Sequence, residues 1–108
     1  MTTAKDYLVY DVEVFAKNSM VVFKDLEGKT VKVFSSSLDG LGQYIDEGIV
    51  DIHGYKNLEE YIKDKMLIGY NNYHYDDYIL YAMILVGRGL FDYNVIKAWN
   101  DSIINNGS

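Results

Sequence analysis

Residues 7–15, Tyr7-Leu-Val-Tyr-Asp-Val-Glu-Val-Phe15, form an apolar run interrupted only by Asp11 and Glu13. Their β-branched and aromatic content predicts a strand. A second strand is expected over 18–24, joined to the first through Ala16-Lys17-Asn18, and a third over 30–34, where Thr-Val-Lys-Val-Phe alternates cleanly. Gly28 marks the turn between the second and third strands. Three short strands in succession suggest an antiparallel meander.

Helical spacing then takes over. Ser35-Ser-Ser37 offers an N-cap for a helix carrying Leu38, Leu41, Tyr44 and Ile45 and stopped by Gly48, although Gly40 and Gly42 weaken that pattern. Residues 49–53 read as a short extended segment, and Asn57 can cap a helix over 58–64. Met66-Leu-Ile68, ending at Gly69, reads as a buried strand. Tyr75 to Leu85 is strongly helical, Gly87 and Gly89 break it, and Asp92 to Ile104 gives a last amphipathic helix. The order βββ-α-α-β-α-α predicts one α/β (α+β) domain over residues 1–108, with helices packed on a mixed sheet.

Composition narrows the function. Hydrophobic residues make up 49% of the 108 and aromatic residues 15%, enough to build a core. The 11 tyrosines suit half-buried positions and contact surfaces alike. A net charge of −6 without a basic stripe disfavours strong binding to free nucleic acid and favours a basic protein partner or bound cations. The absence of cysteine excludes disulfides and thiolate metal sites. No apolar run approaches a membrane span and no signal sequence opens the chain, so a cytoplasmic, membrane-free protein is expected.

Asp11 and Glu13 stand at i and i+2, so on a strand they share a face. Two adjacent like charges near a sheet repel unless a cation compensates them, and oxygen ligands suit a hard divalent ion. The alternative is a strand end whose acids face water. A second polar cluster, Gly69-Tyr-Asn-Asn72-Tyr-His74-Tyr75-Asp76-Asp77-Tyr78, lies where a strand gives way to a helix. Asp76 and Asp77 there can be ligands, or first-turn acids that help to start the helix. His74, two residues before Asp76, and His53, two residues after Asp51, are further candidate ligands that would turn the preference toward zinc. Either can equally be an imidazole facing solvent.

Asp11-x-Glu13 on an opening strand resembles the first motif of the DEDD family of 3′→5′ exonucleases. Asn72-x-x-Tyr75-Asp76 followed by Ile79-Leu80 resembles the second. The meander between the motifs is the family order, and the similarity is strongest to proofreading domains of bacteriophage DNA polymerases, over roughly residues 5–105. The resemblance implies an RNase H-like, exonuclease-like fold. It implies that Asp11, Glu13 and Asp76 match three of four metal-binding carboxylates, with Asn72 and Tyr75 as the shoulder of the second motif. The ions it implies are magnesium or manganese. The family's third motif, a Tyr or His followed by a last Asp, has no match: Tyr93, Trp99 and Asp101 have the wrong spacing, so the domain is expected to be incomplete relative to the family.

Two functions follow as expectations. The first is a divalent-metal-binding, non-catalytic phage-type protein that binds a protein partner in the bacterial cytoplasm. By analogy of size and charge it resembles the anti-CRISPR inhibitors of effector nucleases. The alternative is a 3′→5′ proofreading exonuclease, present as a fragment of a polymerase domain.

Overall fold

The computed structural model describes residues 6–69 and 75–105. The elements run β1 (Asp6–Val14), β2 (Ser19–Lys24), β3 (Thr30–Ser35), α1 (Gly42–Asp46), β4 (Val50–Asp51), α2 (Leu58–Ile62), β5 (Lys65–Gly69), α3 (Tyr75–Gly87) and α4 (Asn94–Asn105). The five strands form one mixed sheet in the order β4-β3-β2-β1-β5. The meander β1-β2-β3 is antiparallel, as its short connections require, whereas β5 and β4 join β1 and β3 in parallel. An α/β domain with a mixed sheet is thus what the hydrophobic pattern anticipated.

The sheet has two unlike faces. One, the helix face, carries Leu8, Tyr10 and Val12 of β1, Val21 and Phe23 of β2 and Phe34 of β3, all packed against Leu58, Ile79, Leu80, Ala82, Met83, Val86 and Ile96 of the helices. The Phe23 ring lies 6.0 Å from that of Phe34, edge to face, and 5.4 Å from that of Tyr61, an arrangement that aromatic quadrupoles favour. On the opposite face, Val22, Val33 and Leu41 form a small second cluster with Met20, Tyr44 and Val50. Among the described residues nothing comparable covers β1 and β5 there.

The helix expected after Ser37 is a single turn. Gly40 takes a positive φ of 78°, and the serines that were expected to cap it bond elsewhere. The Ser37 amide donates to Ser35 Oγ, and that hydroxyl lies 3.2 Å from the Ser19 carbonyl. These local bonds compete with helix initiation. Asn57 makes no side-chain cap bond either; its amide donates to Asp51. The extended stretch at 49–53 contributes only the two residues of β4.

Candidate functional site

Strand alternation places the first motif. Asp11 pairs across the ladder with Val22 and Glu13 with Met20, so both acids leave β1 on the face away from α3 and α4. Asp11 is half-buried and Glu13 exposed. The expectation of a shared face therefore agrees with the register.

The second motif begins on the other side. Asp76 lies in the first turn of α3 and is only 3% exposed. Its charge acts on the hydroxyls of Tyr10 and Tyr75, both on the helix face. The Tyr10 hydroxyl donates to the Asp77 carboxylate, closing β1 onto the start of α3. The Tyr75 hydroxyl donates to Asn100 Oδ1 on α4, and Asn100 in turn donates to Asp101, which also pairs with Lys97. The start of α3 is thus a knot of tyrosines and acids that ties β1, α3 and α4 together. Acids in the first turn of a helix also suit its dipole, so Asp76 and Asp77 have a structural role in place.

The three matched carboxylates therefore do not converge as placed: Asp11 and Glu13 project from one face of the sheet and Asp76 from an element packed on the other. No group of three His, Cys, Asp or Glu residues among those described is disposed to hold a metal ion. Asn72 and His74 lie outside the described residues. His53 is exposed, and its backbone amide donates to the Asp51 carboxylate 2.8 Å away. That acid thus closes a turn, and the spacing Asp51-x-His53 is explained without a ligand.

The tyrosine knot predicts a pH response. Burial, then the hydrogen bond to Asp77 and the charges of Asp77 and Asp76, push the Tyr10 hydroxyl well above the ordinary tyrosine range. Burial, then Asp76 and Asp101, raises Tyr75. Burial raises Tyr55 against the opposing effect of its 2.6 Å hydrogen bond with Ser19. A raised folded-state value means that the native state holds its proton longer than the unfolded chain. The stability contributed by these hydroxyls is therefore complete below about pH 10 and declines as pH rises beyond it. A spectrophotometric titration should show tyrosinate from Tyr10, Tyr55 and Tyr75 forming only with alkaline unfolding, and Tyr10→Phe should remove one of these late equivalents. Tyr75→Phe removes the donor to buried Asn100 and should cost about 1 kcal/mol in a urea titration.

Sequence reasoning did not foresee Tyr10–Asp77 or Tyr75–Asn100. Partners 67 and 25 residues apart leave no local signal. No protein-family model, curated protein or solved structure matches the chain. Among the described residues no helix is long and apolar enough to cross a membrane.

Proposed function

We propose that this chain is an acidic, exonuclease-like domain that acts by binding a basic protein rather than by cutting nucleic acid. The division of Asp11 and Glu13 from Asp76 between the two faces of the sheet carries this reading. Two-ion hydrolysis needs its acids around one point, and misplacing a reacting group by about 1 Å can cost about a hundredfold in rate. The net charge of −6 adds to it, because it repels phosphates and attracts a cationic surface. An effector nuclease of a CRISPR system, with its basic nucleic-acid channel, is the first candidate partner; phage origin and a bacterial cytoplasmic setting follow from the resemblance alone.

Pull-downs against purified effector nucleases, paired with a titration of single-stranded DNA at low salt, test this. Partner binding that weakens as salt rises is expected, with no association with free DNA. Tight DNA binding without a protein partner would refute the reading.

The exonuclease is the second reading. It is favoured by the element order: an antiparallel meander, a strand parallel to β1, then a helix opening on Tyr75-Asp76. Its full metal set does not fit the carboxylates as placed. Asp11 and Glu13, sharing a face, are the pair that fits a divalent ion, magnesium or manganese, with zinc requiring His74 or His53. Such an ion would neutralise the pair. Melting curves in each ion should rise for the native protein and not for Asp11→Ala. Identical curves in all three ions would remove the metal and leave the protein-binding reading standing.

A further inference from the structure

Among the described residues, the face opposite the helices is only half covered. Leu41 and Tyr44 close it over β2, β3 and β4. Over β1 and β5, Tyr7 is 50% exposed and Met66 and Ile68 are each 44% exposed. The parallel register sets Tyr7 beside Met66 and Val9 beside Ile68, so these side chains make one continuous apolar strip. Parallel strand pairs are ordinarily covered on both faces. An aromatic ring and a methionine left open in this way are the residue types that protein contacts favour.

The strip does not stand alone. Further along β1 on the same face come Asp11 and Glu13, and no ion pair among the described residues engages either. Past Glu13 and its cross-strand neighbour Met20 opens a cleft of about 390 Å³, lined by Met20, Phe15 and Leu41, with Asp39 also on its wall. The face therefore reads apolar, acidic, apolar, with a third carboxylate beyond and with Lys24 beside Val9 on the β2 side of the strip.

We infer that this face docks a basic amphipathic segment of a partner protein. The segment's cations meet Asp11, Glu13 and Asp39, and its apolar side chains cover Tyr7, Met66 and Ile68 at one end and the Phe15 cleft at the other. The inference rests on the protein-binding reading and locates its surface. Charge selects the occupant. Nucleic acid and anionic lipid are repelled by unpaired carboxylates, and a second copy brings a further −6 to a face that is already acidic.

The test uses a synthetic helical peptide with lysines on one side and leucines on the other, its glutamate-for-lysine counterpart, and chelator throughout to exclude metal. The basic peptide should bind and the acidic one should not. Backbone resonance shifts should concentrate at Tyr7, Val9, Met66 and Ile68. Asp11→Asn/Glu13→Gln and, separately, Ile68→Thr should each weaken binding by about tenfold or more. Glu27→Gln/Asp92→Asn, which removes the same charge elsewhere, should change it less than about twofold. Glu13, Ile68, Glu27 and Asp92 are exposed and Asp11 is half-buried, and thermal melts verify that each variant folds. Equal weakening by the control pair, or shifts spread over the helix face, would overturn the proposal. So would a concentration-dependent dimer that Ile68→Thr abolishes, which would give the surface to a second copy. In the pull-downs, a partner retained at full strength by Asp11→Asn/Glu13→Gln sinks this surface alone, whereas no protein partner at all sinks the protein-binding reading with it.

Discussion

Phe23→Ala is expected to lower the unfolding free energy by about 3–5 kcal/mol. The Phe23 ring is fully buried in the middle of β2. It touches the layer from both sides: Tyr10 on the neighbouring strand, with centroids 6.4 Å apart, Phe34 on the other neighbour, and Tyr61 of α2 above. Those rings are held by the sheet register and by α2, so they cannot collapse into the space the ring leaves, and the cavity cost adds to the lost burial. A domain of this size has about 5–15 kcal/mol in total, so the variant should be largely unfolded at modest urea concentrations. Equilibrium denaturation followed by circular dichroism reads this directly. A loss below about 1 kcal/mol would mean that the sheet does not pack on the helices through this ring.

The second large effect comes from a single methyl group. Gly87 closes α3 where the helix passes the backbone of Tyr55. A Cβ there would stand 2.2 Å from the Tyr55 carbonyl oxygen and 2.9 Å from its carbonyl carbon. Alanine is the better helix former by about 1 kcal/mol, so propensity alone predicts that Gly87→Ala stabilises. Sterics should win, because the obstructing atoms are backbone and Tyr55 is itself buried and bonded to Ser19. A loss of about 2–3 kcal/mol is expected. Gly42→Ala provides the control: a Cβ at Gly42 meets nothing within 4 Å, so that change should be neutral or slightly stabilising. Melting temperatures of the two variants, compared side by side, separate the close approach from propensity.

The meander was readable because alternation and turn residues repeat at short range. The same logic put Asp11 and Glu13 on one face, which the pairing with Val22 and Met20 bears out. It did not say which face the helices take. β1 is apolar at both parities, with Leu8, Tyr10 and Val12 on one side and Tyr7 and Val9 on the other, so the pattern leaves the choice to packing. That choice separates the first motif from Asp76. The long helices α3 and α4 were legible, α3 as an apolar helical run from Tyr75 to Leu85 and α4 as an amphipathic one from Asp92 to Ile104. The apolar spacing after Ser37 predicts a longer helix, but Gly40 turns the chain, Ser35 and Ser36 bond to Ser19 of β2, and Ser37 Oγ accepts from the Asp39 amide. At the start of α3, an acidic pair has the same appearance in sequence whether it binds a ligand or starts a helix. Tyr10 gives Asp77 a tertiary partner from a distant part of the chain, as Asn100 does for Tyr75.

In the proposed function this domain binds without cutting. Incubation with labelled single-stranded DNA in manganese, beside Asp11→Ala prepared identically, tests it most directly. Substrate of unchanged length is expected in both samples. Progressive 3′ shortening by the native protein that vanishes in Asp11→Ala would contradict it, since Asp11 and Asp76 would then have to meet around shared ions.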